Sequence, residues 1–194
     1  MKQQIILASS SPRREEILKR MVKNFKIIPS KYEEDMTRDM DPNSMALEFS
    51  KGKAQDVAKR LKKGIVIGID TFVIFRNHKL GKPHTKERAI EMLKIISGKK
   101  VEVISGVCII NIEKNIVLQG AEKTEVKMKR MSGREISEYV ATGEPMDKAG
   151  AFAMQELGGI FVEKIYGCPF NVVGLPVNRV YKMLKRTGYD VLDE

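Results

Sequence analysis

Short apolar runs alternate along this chain with stretches in which apolar residues recur every three or four positions. Such runs are typical of buried strands, and such stretches are typical of amphipathic helices, so their alternation predicts an α/β protein. The predicted strands are residues 4–8, 25–28, 65–74, 101–112, 116–131 and 161–165. The fourth and fifth strands are joined by a short turn into a long central hairpin. This order indicates a mixed sheet, with a cleft where the early and late segments of the chain meet.

Residues that cap helix ends mark the helix boundaries. Ser11 before Pro12, Asp41 before Pro42, and Thr85 each supply a side chain that accepts hydrogen bonds from the first backbone N–H groups of a helix. Ser132 followed by Glu135 fits a capping box. The predicted helices are residues 12–21, 42–62, 86–97, 133–143 and 176–188.

The composition fits one domain, or two small lobes that share a core. Of the 194 residues, 42% are hydrophobic, which excludes a disordered chain. No apolar run approaches the roughly 20 residues of a membrane helix, and the first run is too short for a signal peptide, so an unexported, soluble protein is expected.

Cys108 and Cys168 form no metal-type pattern with the two histidines, which disfavours zinc and a disulfide framework.

The formal net charge of +10 favours polyanionic partners. Charge alone does not distinguish nucleic acid, an anionic membrane and free nucleotides, and the lysine clusters at 59–63 and 127–130 are also compatible with solvated surface.

The first candidate site is the segment from Ser9 to Arg14, Ser-Ser-Ser-Pro-Arg-Arg. A strand, a small polar turn and a helix start place free backbone N–H groups and the positive helix end at one point, which is an anion-binding geometry. Arg13 and Arg14 in the first turn oppose the helix dipole, and a bound anion would relieve that conflict. An ordinary capped helix with solvated arginines fits the pattern equally well.

Further candidates interrupt apolar or structured segments. Asp70 lies in an apolar strand run and precedes Thr71; a buried carboxylate should face a metal, a cation or a polar cleft, although it could also cap a turn. Lys82, between a glycine and a proline, could face phosphate or belong to a surface turn. The acidic residues around Glu33 could hold a cation or be solvated, and Lys53 could be a surface lysine.

Taken in order, these segments resemble the Maf-like nucleotide pyrophosphatases along nearly the whole chain. The resemblance rests on Ile6-Leu7-Ala8-Ser9, Ser11-Pro12-Arg13-Arg14, Glu33-Glu34, Lys53-Ala54, Asp70-Thr71, Gly81-Lys82-Pro83, Gly143 to Ala151, Gln155 and Val173-Gly174-Leu175-Pro176.

The resemblance implies a single catalytic domain over residues 1–194 that hydrolyses a nucleoside triphosphate to the monophosphate and pyrophosphate with Mg²⁺ or Mn²⁺. It also implies the two-lobed mixed α/β fold of inosine triphosphate pyrophosphatases, a homodimer and a cytoplasmic location. Carried over onto this sequence, it makes Glu33 and Asp70 the metal ligands and Asp70 the residue that orients or deprotonates the attacking water. The substrate-binding residues it implies are Ser9, Arg13, Arg14, Lys53, Thr71, Lys82 and Gln155.

Three positions favour one branch of that family. Arg13 after Pro12, Thr71 after Asp70, and Gln155 after the Lys148-Ala149-Gly150 segment are similar to the branch that acts on dTTP and UTP. The branch that acts on 7-methyl-GTP departs from this pattern at the same places.

Two other functions are also compatible with the sequence. A 7-methyl-GTP or broader house-cleaning pyrophosphatase is the alternative within the enzyme class. A nucleic-acid-binding regulator of cell division would fit the positive charge, but no nucleic-acid-binding motif is visible and only 6% of the residues are aromatic.

Overall fold

A mixed seven-stranded sheet forms the centre of the computed structural model, which describes residues 3–35 and 37–193. The strands are β1 Ile5–Leu7, β2 Phe25–Ile27, β3 Ile65–Phe75, β4 His78–Leu80, β5 Lys100–Asn111, β6 Ile116–Met128 and β7 Val162–Tyr166. Their order in the sheet is β2-β1-β3-β5-β6-β7, with β4 paired to β3. Strand β1 pairs in parallel with β2 and β3, whereas the β3–β4 and β6–β7 pairs are antiparallel. The predicted α/β class, mixed sheet and central hairpin are confirmed.

Helices begin where the capping residues predict. Ser11, Asp41, Thr85 and Ser132 are the N-caps of four helices, and Ser132 with Glu135 forms the complete capping box. The α-helices are α1 Pro12–Lys19, α2 Pro42–Ala58, α3 Lys86–Ile96, α4 Gly133–Ala141, α5 Pro169–Val173 and α6 Val177–Arg186.

Two boundaries differ from the sequence predictions by more than two residues, and one strand and one α-helix were not predicted. Helix α2 ends at Ala58, before the predicted residue 62, because the chain must turn at Gly64 (φ +116°) so that the Ile65 N–H can donate to the Gln4 carbonyl. Strand β6 ends at Met128, before the predicted residue 131. After Met128 the backbone forms hydrogen bonds with the C-terminal end of α3: the Lys129 carbonyl accepts from Gly98 N, and Met131 N donates to Ser97 Oγ. Strand β4 and helix α5 were not predicted, because they are too short to show a periodicity.

The chain divides into two compact units. The first contains the residues up to Thr71, Ser105–Glu122 and the residues from Gly174 onward. The second contains Phe72–Ile104 and Lys123–Val173.

Each unit has its own apolar core. In the first unit, Ile6, Val57, Val66 and Cys108 belong to one buried cluster. In the second, helices α3 and α4 contribute to a larger cluster in which the rings of Tyr139 and Phe161 meet edge to face, with centroids 5.1 Å apart. No helix formed by residues 3–35 and 37–193 combines the length and apolar character needed to span a membrane.

Helix α2 approaches the sheet closely through two glycines. A Cβ on Gly68 of β3 would lie 2.3 Å from the Ser50 carbonyl oxygen and 2.7 Å from the Ala54 nitrogen. A Cβ on Gly106 of β5 would lie 2.0 Å from the Ala46 carbonyl oxygen. These distances are shorter than van der Waals contact, so only glycine allows the helix backbone to rest on these strands.

Candidate active site

A buried carboxylate and a lysine meet between β3 and α2. Asp70 is 5% exposed and lies two residues after Gly68, so its side chain leaves the strand on the same face, toward α2. Lys53 of α2 places its ammonium nitrogen in contact with Asp70 Oδ1 and 2.6 Å from Glu34 Oε1. The close approach permitted by Gly68 therefore brings one cation against two carboxylates.

The loop that carries Glu34 is held against the same helix. The ring of Tyr32 packs directly on Gly52, where a Cβ would lie 2.4 Å from a ring carbon, and its centroid lies 6.0 Å from that of Phe49. Since Gly52 precedes Lys53 in the chain, this packing brings Glu34 within reach of the lysine.

The environment of Asp70 is unusual for a carboxylate. Burial raises the pKa of Asp70, and the charge of Glu34 adds to the rise, while the positive charges of Lys53 and Arg14 oppose it. Oxygen Oδ2 is buried and has no hydrogen-bond partner in the described part of the chain. Asp70 therefore keeps one oxygen free to accept a hydrogen bond from water or to bind a cation.

Arg14 forms a second cluster in the same unit. Its Nε donates to the Gly174 carbonyl at 2.9 Å, Nη1 donates to Ser9 Oγ at 3.2 Å, and Nη2 donates to Thr71 Oγ1 at 3.1 Å. Burial lowers the pKa of Arg14, whereas the charges of Asp70 and Glu34 oppose that shift. Arg14, one of the two arginines in the predicted anion-binding turn, therefore forms hydrogen bonds to both Ser9 and Thr71.

Arg13 lies beside Arg14 in the first turn of α1, half-buried, and its positive charge contributes to lowering the pKa of Arg14. Two adjacent cations at a capped helix start give this end of α1 a strongly positive character.

The structure distinguishes the two neighbouring glutamates. The family resemblance implies Glu33 as a metal ligand, whereas the structure places Glu34 beside Lys53; both glutamates are exposed, and they differ in this ion pair. Among the described residues, no three or more His, Cys, Asp and Glu side chains are grouped so that they could hold a metal ion. Mg²⁺ sites often use only one or two carboxylates, with substrate phosphates supplying other ligands, and the pair Asp70 and Glu34 is compatible with a site of that kind.

Lys82 and Gln155 belong to the second unit and are both exposed. Lys82 follows Gly81, whose carbonyl accepts a hydrogen bond from Gly150 N at 3.1 Å. Gln155 Nε2 donates to Glu156 Oε1 at 3.3 Å. These two residues therefore lie on short loops of the second unit, and their contact with substrate stays a prediction.

Glu144 fixes the loop that carries Gln155. One of its carboxylate oxygens accepts from the Tyr139 hydroxyl at 2.8 Å and from Gly158 N at 2.8 Å, and the other accepts from Leu157 N at 3.0 Å. Sequence reasoning assigned Glu144 no role of its own, because its partners come from separate segments of the chain.

We expect Glu144→Ala to destabilise the protein and loosen this loop. Three hydrogen bonds to a carboxylate are lost and two backbone N–H groups lose their acceptor, which should lower the free energy of unfolding by about 2 kcal/mol. Urea unfolding measures the change, and Glu138→Ala on the exposed face of α4, where Glu138 pairs only with Arg134 in the described part of the chain, is the matched control. An equal effect of the two variants would contradict the role given to Glu144.

Comparison with known sequences identifies the family of this chain. The sequence model described as Maf-like protein matches residues 4–187. The chain belongs to the Maf-like family. The resemblance noted in the sequence is thereby confirmed, as is membership of a family of nucleotide pyrophosphatases.

Relatives of this Maf-like chain match it over nearly their full length. A dTTP/UTP pyrophosphatase from Clostridium tetani is 48% identical over 189 residues, which cover 96% of this chain and 98% of the relative. A dTTP/UTP pyrophosphatase from Methanosarcina barkeri is 46% identical over 192 residues, covering 98% of each chain. A third, from Caldicellulosiruptor saccharolyticus, is 45% identical over 192 residues, covering 97% of this chain and 96% of the relative.

Proposed function

We propose that this Maf-like protein hydrolyses dTTP and UTP, together with modified forms of these pyrimidine nucleotides, to the monophosphate and pyrophosphate. The observation that carries the proposal is the buried Asp70, whose Oδ2 has no hydrogen-bond partner among the described residues, held beside the ammonium group of Lys53. The names of the relatives supply the nucleotide class.

In the proposed reaction, a water molecule attacks the α-phosphorus atom. The new P–O bond forms as the bond to the α,β-bridging oxygen breaks, and the electron pair leaves with pyrophosphate. Asp70 orients this water and accepts its proton. Burial raises the pKa of Asp70, which makes it a stronger base than an exposed aspartate.

Cationic side chains stabilise the negative charge that moves onto the leaving group. Lys53 and Arg13 are assigned to phosphate oxygens in the first unit, and Lys82 in the second. Arg14 acts indirectly: its guanidinium group donates hydrogen bonds to the hydroxyl groups of Ser9 and Thr71, which are residues assigned to the substrate. Charge stabilisation of this kind is the main contribution of proteins to phosphoryl transfer.

A divalent cation, Mg²⁺ or Mn²⁺, fits the carboxylates that converge on Lys53. When bound, it would supply Lewis-acid polarisation of phosphate oxygens and make a bound water more acidic. Asp70 and Glu34 are the residues placed to hold it, and the partnerless Oδ2 of Asp70 is the observation in favour.

The choice of base is assigned to Thr71 and Gln155. A glutamine amide offers both a donor group and an acceptor group, which match O4 and N3–H of uracil and thymine. We further propose that residues 1–194 act as one catalytic domain, in the cytoplasm and as a homodimer.

A nucleotide panel tests the proposed function. Pyrophosphate release is measured with Mg²⁺ and with Mn²⁺ for dTTP, UTP, CTP, ATP, GTP and 7-methyl-GTP. Preference for dTTP and UTP supports the proposal, whereas equal rates on UTP and GTP, preference for 7-methyl-GTP, or no hydrolysis with either metal would contradict it.

The two neighbouring glutamates provide a matched test of metal binding. We expect Glu34→Gln to weaken Mn²⁺ binding at least tenfold, because a carboxylate next to Asp70 is lost, and Glu33→Gln to change it less than twofold. Mn²⁺ titration followed by electron paramagnetic resonance measures both without turnover. The reverse order of effects would return the ligand role to Glu33.

A further inference from the structure

A buried serine that no known role explains touches the side chain of Thr71. Ser105 lies on β5, its side chain is fully buried, and its Oγ is 2.8 Å from Thr71 Oγ1. Among the described residues Ser105 Oγ has no other hydrogen-bond partner. Ser105 interrupts an apolar strand run, as Asp70 does in β3, so its hydroxyl group requires an explanation.

The direction of this hydrogen bond follows from the partners available. A hydroxyl group has one hydrogen and two acceptor positions. Within residues 3–35 and 37–193, the buried Ser105 hydrogen has only Thr71 Oγ1 to receive it, so Ser105 is the donor. Arg14 Nη2 also donates to Thr71 Oγ1, at 3.1 Å, and a guanidinium group only donates. Both acceptor positions of Thr71 are therefore filled from within the protein.

We propose that Ser105 is a positioning residue that, with Arg14, turns the hydroxyl group of Thr71 into a hydrogen-bond donor only. The Thr71 hydrogen is then directed at an oxygen acceptor of the bound nucleotide. Thr71 is half-buried, which leaves room for such a contact. This inference rests on the proposed function, and it assigns the direction of a contact that the resemblance leaves open.

Ser9 shows the same arrangement independently. Its Oγ accepts from Arg14 Nη1 at 3.2 Å and from Ser11 N at 3.2 Å, which also fills both acceptor positions. One guanidinium group thus orients two hydroxyl groups, and both present a hydrogen rather than a lone pair. Two outward donors suit a ligand rich in acceptor oxygens, as a nucleoside triphosphate is.

A double-mutant cycle on Ser105 and Thr71 tests the proposal. In Ser105→Ala the orienting donor is lost, and we expect KM for dTTP and UTP to rise roughly three- to tenfold, the effect of one hydrogen bond, with kcat changed less than twofold. In a Thr71→Val background the same substitution should change KM less than twofold. In Thr71→Ser, which keeps the hydroxyl group, the effect of Ser105→Ala should reappear.

Binding without turnover provides the second readout. Calorimetry with the α,β-imido analogue of dTTP should show the same loss of affinity in Ser105→Ala. Competitive inhibition by inorganic tripolyphosphate identifies the acceptor: a matching loss indicates a phosphate oxygen, and an unchanged inhibition constant indicates an oxygen of the nucleoside. Both results support a donor-only Thr71.

Other outcomes would overturn the inference. A change of less than twofold in both KM and analogue affinity for Ser105→Ala would do so, as would an equal effect in the presence and absence of the Thr71 hydroxyl. If Ser105→Ala fails to fold, Ser105→Cys, which keeps a weak donor of similar size, must show a smaller rise in KM that again depends on Thr71. Wild-type hydrolysis of dTTP and UTP is measured in parallel, so that failure of the proposed function is recognised separately.

Discussion

Replacing Asp70 with asparagine is expected to lower kcat for dTTP and UTP by about two to four orders of magnitude, the contribution of a general base. The amide keeps the shape of the side chain but accepts no proton. The fold should survive, because Lys53 retains Glu34 as a partner when the charge of Asp70 is removed. Steady-state pyrophosphate release measures the loss, and circular dichroism with thermal unfolding establishes that the variant is folded.

The role of Asp70 as a base also predicts how kcat/KM of the wild-type protein depends on pH. Asp70 acts as a base only after losing its proton, so kcat/KM should rise with pH through the pKa of Asp70. Burial raises that pKa in the cation-free protein, so at subsaturating Mg²⁺ the rise should occur at higher pH than the ordinary range of aspartate. Asp70→Asn should abolish this limb of the profile.

A distant carboxylate provides the control. Asp193 is exposed near the end of the chain, and Asp193→Asn should leave both kcat and the pH profile unchanged. Near-normal turnover of Asp70→Asn with Mg²⁺ or Mn²⁺ present would remove Asp70 from the proposed chemistry.

The second large effect is expected from a glycine that takes no part in chemistry. In Gly68→Ala the new Cβ would meet the backbone of α2 at Ser50 and Ala54, so the helix must move away from β3. Overpacking of this kind lowers the free energy of unfolding by roughly 1–3 kcal/mol. We expect a value at the upper end of that range, because the backbone cannot relieve the clash by changing rotamer as a side chain can. The displacement should also separate Lys53 from Asp70, so turnover falls together with stability.

Gly133→Ala is the matched control, since a Cβ at Gly133 would have no heavy atom within 4 Å. Alanine in the first turn of α4 should leave the free energy of unfolding unchanged or slightly increased. Urea unfolding and dTTP hydrolysis are measured on both variants. A Gly68→Ala protein with wild-type stability would show that α2 does not depend on this close approach.

Much of the fold was predictable because its signals are local. A capping side chain such as Asp41 or Ser132 bonds the backbone within its own helical turn, so the sequence shows both partners together. The end of α2 at Ala58 was not predictable, because it depends on the pairing of Ile65 with Gln4, about sixty residues apart in the chain.

In the candidate site, too, some residues could be selected from the sequence and others could not. Asp70 could be selected from the sequence because a carboxylate inside an apolar strand is costly unless it has a polar partner. The partner itself could not be selected: Glu33 and Glu34 are chemically alike, and only the packing of Tyr32 on Gly52 brings Glu34 to Lys53. Glu144 was missed for the same reason, because its three bonds join segments that are apart in the chain.

The sequence by itself determined the α/β class, the starts of the four helices with capping side chains, the family and the residue types available for binding a nucleotide. These properties depend on local hydrogen bonds, periodicity and the order of motifs. Only the tertiary structure decided that Lys53 contacts Asp70 and Glu34, and that Arg14 and Ser105 both meet the hydroxyl group of Thr71. Hydrogen bonds between distant segments depend on how strands and helices pack, and at Gly68 that packing is set by the absence of a single Cβ atom.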